Sequence, residues 1–194
     1  GDLVREIDTK IIPVRDGKLY FAEDIVLEVE PMVGVIGVSP PKDDVHCAIP
    51  GDHGGNMDVK DIKPGSKVYF KVYKEHVGIA LGDLHARMGD GEISGSGVEI
   101  AGRVKMRVTK AEALDLDLPA VETREEFMVI SSEETLPKAI RKGLVLACGL
   151  LQQSCKLKLS DAYRLASLVC DVRICQIVND LVTIRIALPK NLIK

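Results

Sequence analysis

The chain has 194 residues, of which 46% are hydrophobic and 28% charged, and its formal net charge is -3. A chain of this size buries roughly 70% of its unfolded surface around one core, and a mildly acidic balance with no Lys/Arg run interleaved with aromatics excludes a nucleic-acid footprint. The longest apolar stretch, Leu144 to Leu151, contains Cys148 and Gly149 and falls short of a membrane span.

Taken in chain order, the sequence predicts sheet first, helices later and one strand last. Ile11 to Val14, Lys18 to Phe21 and Ile25 to Val29 are short β-like runs separated by Asp16-Gly17 and Glu23-Asp24, the pattern of a hairpin with a following strand. Val33 to Val38 is apolar and β-branched with two glycines, which predicts an interior strand. Val68 to Tyr73 and Val77 to Leu81 frame a second hairpin after the Lys63-Pro64-Gly65-Ser66 turn. Val98, Ile100, Val104, Met106 and Val108 keep a period of two broken only at Gly102, which predicts a strand with one buried face and a bulge or close approach at that glycine. A further strand is expected over Glu126 to Ile130.

Helices follow. Ser131-Ser132-Glu133-Glu134 offers a capping box, Pro137 suits a first turn, and Ile140, Leu144, Ala147 and Leu151 recur at helical spacing. A second helix is expected after Ser160, with Asp161 in its first turn and Ala162, Leu165, Ala166 and Val169 on one face. Val182, Ile184, Ile186 and Leu188 alternate and close the chain as a strand ending at Pro189. The expectation is one β-rich α+β domain over residues 1–194, mainly β over 1–130, a helical hairpin over 131–175 and a final strand over 176–194.

Chemistry concentrates in two glycine-rich loops. Pro50-Gly51-Asp52-His53-Gly54-Gly55-Asn56-Met57-Asp58 and Gly82-Asp83-Leu84-His85-Ala86-Arg87-Met88-Gly89-Asp90-Gly91-Glu92 each combine a histidine with nearby carboxylates. Such sets supply cation ligands and a general base, and glycines let the backbone turn tightly around them. Asp83 and His85 are two residues apart, which in an extended segment places both side chains on one side, as two ligands of one cation require. His53 reads equally as a ligand, an acid/base or a turn residue. Asn56 is either a turn stabiliser or a functional amide. Asp90 fits a solvated acidic turn. Glu99, out of phase with Val98 and Ile100, faces either solvent or a polar cavity.

The expected assignment takes Asp58, Asp83 and His85 as ligands of a divalent metal, zinc first with calcium as the alternative. Glu99 or Glu92 is then the general base and His53 an orienting group or acid. Gly54 and Gly55 offer backbone donors for an oxyanion, and with Asn56 they make the substrate-binding set. Five cysteines, Cys47, Cys148, Cys155, Cys170 and Cys175, form no C-x-x-C pair, which argues for reduced thiols in a cytoplasmic protein without a signal peptide. Four lie among apolar residues as packing groups; Cys47, close to the first loop, is the one candidate nucleophile, and packing is favoured there too.

The same two loops resemble the acetamidase/formamidase family of amide hydrolases, and the resemblance extends from Met32-Val33-Gly34-Val35-Ile36-Gly37-Val38 to Val178-Asn179. It implies stacked β-sheets with a helical layer, and hydrolysis of formamide, acetamide or a similar short amide to a carboxylate and ammonia. It also implies that these residues correspond to the carboxy-terminal two thirds of such an enzyme. A homo-oligomer, at least a dimer, or a complex with a separate amino-terminal segment is therefore expected. Partners beyond the small amide are not expected to include nucleic acid or membrane. Two stretches depart from the family pattern: Lys74-Glu75-His76-Val77 stands where a proline-glycine turn is common, and Arg87 replaces a small residue beside His85. A long cation at Arg87 either binds a substrate carboxylate, repels the metal or points to solvent. The rival reading is a non-catalytic scaffold, a degenerate amidase that binds a ligand or partner through the same cleft.

Overall fold

A computed structural model describes residues 3–4, 6, 8–42, 44–76, 78–111 and 116–193. The Asp16-Gly17 pair makes the first turn, with left-handed φ of 50° and 74° at its two residues, as a two-residue hairpin loop requires. It joins β1 (Val14–Arg15) to β2 (Lys18–Ala22), and β3 (Ile25–Glu28) completes an antiparallel sheet. Of the strand expected over Ile11 to Val14, only Val14 is in a ladder. Pro13 has no N–H to contribute and accepts a single bond from Tyr20 N–H at 3.0 Å.

β4 (Met32–Val38) is followed by β5 (Gly54–Asn56), β6 (Lys67–Tyr69) and β7 (Ile79–His85). β4 is interior, as its composition predicts, with β5 on one side and β7 on the other. The hairpin expected over residues 68–81 does not form. β7 pairs with β4, from Met32↔His85 to Val38↔Ile79, while β6 joins a different sheet, where Val68 and Phe70 pack on buried Met57, Val59 and Met128. Val77, the expected start of the second run, lies outside the described residues.

The remaining elements are β8 (Ala120–Glu122), β9 (Glu126–Glu133), α1 (Leu136–Cys155), α2 (Leu159–Val169), β10 (Asp171–Gln176) and β11 (Val182–Pro189), with a 3-10 turn over Lys190–Leu192. They build a five-stranded antiparallel sheet in the order β10-β11-β9-β8-β6. The helical region is shorter than the expected 131–175. Ser131 and Ser132 are buried in β9 opposite Ile184 and Thr183, so α1 is capped instead by Thr135, whose side chain accepts from Lys138 N–H. Pro137 sits in the first turn as predicted. α2 starts at Leu159, and β10 uses residues assigned by the pattern to the helical hairpin.

Phe127, Met128, Val129 and Ile130 form a continuous apolar run because β9 is covered on both faces. Phe127 and Val129 meet Ala139, Ala147 and Leu151 of α1, Ala162 and Ala166 of α2, and Ile184, Ile186 and Leu188 of β11. Met128 and Ile130 point the other way, toward Met57, Val59 and Ile62, with Val33 and Ile36 of β4 packed behind them. This is the expected β-rich α+β architecture of stacked sheets under a helical layer. Among the described residues no helix is long and apolar enough to cross a membrane.

The alternating run from Val98 to Val108 is the largest departure. Residues 98–100 lie along the free edge of β7 through Ala86 N–H to Val98 O, Val98 N–H to Arg87 O and Ile100 N–H to Leu84 O, with a bridge between His85 and Glu99. Over residues 101–111 no ladder forms, and Val104, Met106 and Val108 are exposed. Alternation marks a face suited to burial, but a strand also needs a neighbour for its N–H and C=O groups.

Candidate metal centre

β4 holds the site together, because the two loops leave the strands on either side of it. Asp58 lies two residues past the end of β5 and its N–H donates to Gly34 O at 3.2 Å. Asp83 lies within β7 but interrupts the ladder: Val33 pairs with Leu84 and Val35 with Gly82, so Gly34 and Asp83 face each other unpaired. The Asp83 backbone is left-handed there, φ 56°, as are those of Asp58, φ 50°, and Glu92, φ 46°. Among the described residues the other non-glycine positions of this kind are Asp16 in its hairpin turn and Lys156 at the end of α1. Strained backbone at three carboxylates that converge is the pattern of a functional constraint, costing of order 1–3 kcal/mol at each position.

The side chains converge. His85 Nε2 lies 2.9 Å from Glu99 Oε1 and 3.3 Å from Asp83 Oδ1. One ligand atom from each of Asp58, Asp83 and His85 falls within 4.8 Å of the others, and so does one from each of His85, Glu92 and Glu99. Asp58, His85 and Glu92 are buried, whereas the Asp83 and Glu99 side chains are 30% and 54% exposed, so the cluster opens to solvent on their side. The Asn56 amide bridges the carboxylates: oriented to satisfy both of its ends, its nitrogen donates to Asp58 Oδ2 at 2.9 Å and Asp83 Oδ2 at 3.2 Å, and its oxygen accepts from Asn179 Nδ2 at 3.1 Å. Asn179 also donates to the Asn56 carbonyl at 3.3 Å.

The donor set fits a cation. Four carboxylates surround one imidazole, and two buried atoms, Asp58 Oδ1 and His85 Nδ1, have no hydrogen-bond partner. Burial, then the charges of Glu92 and Asp83, push the Asp58 carboxyl up to about 7. Burial also raises Glu92, with Asp83 and Glu99 adding to the shift and the Asp58 hydrogen bond opposing it. Carboxyl groups raised above their unfolded values favour the folded state only while protonated. In the cation-free chain the stability contributed by Asp58 and Glu92 is therefore lost as pH rises from about 4 to 7. Denaturant midpoints across that range, with and without added divalent cation, read this out: the loss is present without the cation and suppressed with it.

The other expected residues fall elsewhere. His53 belongs to neither ligand group; it lines a neighbouring cavity of about 450 Å³ with Asp52, Glu133 and Lys142. Burial lowers its pKa, with Asp52 opposing. Gly55 has φ 85°, and a Cβ there would press on Ile49 O and sit 3.2 Å from His53 Nε2, so only glycine lets that ring fold back over the strand. Gly54 N–H donates to Gly51 O at 3.0 Å, which commits it inside the loop rather than to a ligand. Arg87 turns away from His85 and donates to Glu28 O and Glu30 Oε1 at 2.8 and 2.9 Å. Asp90 is not a solvated turn residue, since it pairs with buried Arg185 at 2.9 Å. Cys47 is exposed and absent from the cavity lined by His53.

Residues 42–193 match the model of the acetamidase/formamidase family. The chain belongs to that family. Among solved structures, a predicted acetamidase/formamidase from the thermophile Thermoanaerobacter tengcongensis superposes with a TM-score of 0.90 at 42% identity, over 93% of this chain and 60% of that one. An acetamidase from Bacillus halodurans gives 0.91 at 41% identity, over 94% and 62%. A formamidase from Methylophilus methylotrophus is 50% identical over 60 residues, 30% of this chain and 15% of that protein. The chain thus spans less than two thirds of the length of these relatives. Membership of the acetamidase/formamidase family accords with the stacked-sheet fold and with the resemblance of both loops.

Proposed function

We propose that this chain carries the cation site of an amidase that hydrolyses short linear amides, of the formamide or acetamide kind, to a carboxylate and ammonia. The observation that carries this reading is the cluster of Asp58, Asp83 and His85 in a chain of the acetamidase/formamidase family. These three residues would hold one divalent cation, zinc by the mixed nitrogen and oxygen donors. When bound, the cation supplies Lewis acidity that polarises an amide carbonyl and brings the pKa of water toward neutrality. Glu99, at the open edge of the cluster, takes a proton from the attacking water as general base and returns it to the departing ammonia. Glu92 lies deeper, buried beside Asp58, and is the second carboxylate able to act as base. Asn56 fixes the remaining oxygens of Asp58 and Asp83. His53 faces the adjoining cavity and serves as an orienting group or acid there, with Gly55 beneath it.

The working protein is a cytoplasmic homo-oligomer on this reading, or a complex with a separate amino-terminal segment. Five free cysteines support a reducing compartment, and the exposed run Val104, Met106 and Val108 supports pairing with another chain. The scaffold reading gains nothing from a cluster whose left-handed carboxylates are costly to maintain without a ligand.

Ammonia release from formamide and acetamide, measured before and after chelation and again after zinc is returned, tests the proposal. Release that chelator abolishes and zinc restores is expected; a zinc-loaded protein inert toward both amides, alone and with the amino-terminal segment of a relative added in trans, overturns it. A cysteine mechanism predicts loss on Cys47→Ala. Activity is expected to be unchanged in that variant, because Cys47 is exposed and the His46 ring already accepts from Ala48 N–H at 3.3 Å.

A further inference from the structure

β11 alternates Ile184, Ile186 and Leu188 toward the helices, which leaves Arg185 pointing between the two stacked sheets. Its side chain is 1% exposed, and its Nε lies 2.7 Å from Asp61 Oδ2, an ion pair without the alignment of a hydrogen bond. On the other edge of the guanidinium, Nη1 lies 2.9 Å from Asp90 Oδ1 and Nη2 donates to Asp90 Oδ2 at 3.0 Å. Nη1 also donates to Ile174 O at 3.2 Å. Asp61 stands three residues after Asp58, and Asp90 two residues before Glu92. One planar cation therefore ties together the two loops that carry cluster carboxylates, and it is mounted on a strand flanked on both sides by others, β10 and β9. The second loop is fixed again beside Asp90, where Gly91 N–H donates to Cys175 O at 2.9 Å and Ile177 N–H donates to Gly91 O at 3.1 Å.

We propose that Arg185 is a positioning residue for the cation site, setting the distance between Asp58 and Glu92 by clamping Asp61 and Asp90 on one guanidinium. The inference rests on the cation reading above. A lysine cannot replace the fork, because its ammonium is a point charge that does not present two edges to two carboxylates. Groups that orient ligands from behind contribute about tenfold to a hundredfold to metal affinity.

Zinc titration of the full chain and of Arg185→Lys, Asp90→Asn and Arg173→Met separates positioning from charge and from general destabilisation. Arg185→Lys keeps the local charge, so a purely electrostatic role leaves its affinity unchanged, whereas positioning weakens it about tenfold or more. Asp90→Asn is titrated in about 1 M salt, where the Debye length is about 3 Å and a distant charge is screened; the same weakening is expected to persist there, and this variant carries the test if Arg185→Lys does not fold. Arg173→Met breaks the ion pair of Arg173 with Glu126, 2.7 Å long and on the same sheet, and is expected to bind zinc as the parent does. Parent-like affinity in Arg185→Lys, or in Asp90→Asn at high salt, overturns the positioning role while leaving the cation reading intact. A parent chain that binds no zinc removes both.

Discussion

Replacing His85 by alanine is expected to abolish stoichiometric cation binding and to lower amide hydrolysis on the order of a thousandfold or more, the rate equivalent of several kcal/mol of lost transition-state stabilisation. His85 is the one nitrogen donor in both ligand groups, and without it only carboxylates remain to hold a borderline cation. The fold should survive, since the backbone at residue 85 is paired on both sides, with Met32 of β4 and with Glu99. Elemental analysis and circular dichroism of the purified variant read the two effects separately. Stoichiometric metal retained in a folded His85→Ala protein would remove His85 from the ligand set.

Gly34→Ala is expected to damage the site nearly as much, although residue 34 has no side chain to lose. A Cβ at Gly34 would overlap Asp83 Oδ2 and lie 2.6 Å from Asp58 Oδ1 and 3.0 Å from the Asp83 carbonyl. The carboxylates must move apart to admit it. Overpacking of this kind costs about 1–3 kcal/mol of stability, and the displaced oxygens should weaken zinc binding at least about tenfold. Gly82 provides the control on the facing strand, because a Cβ there meets nothing within 4 Å. Equal zinc affinity in Gly34→Ala and Gly82→Ala would show that the oxygens near Gly34 are not the ones that bind.

Much of the site is legible in the sequence for a local reason. Asp83 and His85 are adjacent on one strand, and Asp58 and Asn56 sit in one glycine-rich loop, so spacing alone brings each pair close. Their partners across the fold were less visible. Arg185 is out of phase with an apolar alternation, the same signal that an exposed residue gives, and nothing local shows that a second sheet covers it. Asn179 lies in a turn-like stretch far along the chain, and only the return of β10 beside Gly91 brings that end of the molecule to Asp58. Gly34 looks like any glycine in an apolar strand until the left-handed Asp83 is placed opposite.

The fold divides along the same line. Periodicity identifies inward-facing residues but not the neighbouring strand, so β4, β9 and β11 were legible as elements while the pairing of β6 and β7 was not. β10 is not legible because its alternation, Asp171, Val172, Arg173 and Ile174, spans only four residues close behind α2, and its apolar pair faces solvent. The run from Val98 to Val108 errs the other way: its pattern is that of a strand throughout, yet past Ile100 it has no pairing partner among the described residues.

Anomalous X-ray diffraction at the zinc edge from crystals of the zinc-loaded chain tests the central claim most directly, because it locates the ion without reference to activity. The expected result is one peak within bonding distance, about 2.0–2.2 Å, of a carboxylate oxygen from each of Asp58 and Asp83 and of a His85 ring nitrogen. No peak at the cluster, with His85 still held between Asp83 and Glu99 and zinc found only at surface sites, would contradict it.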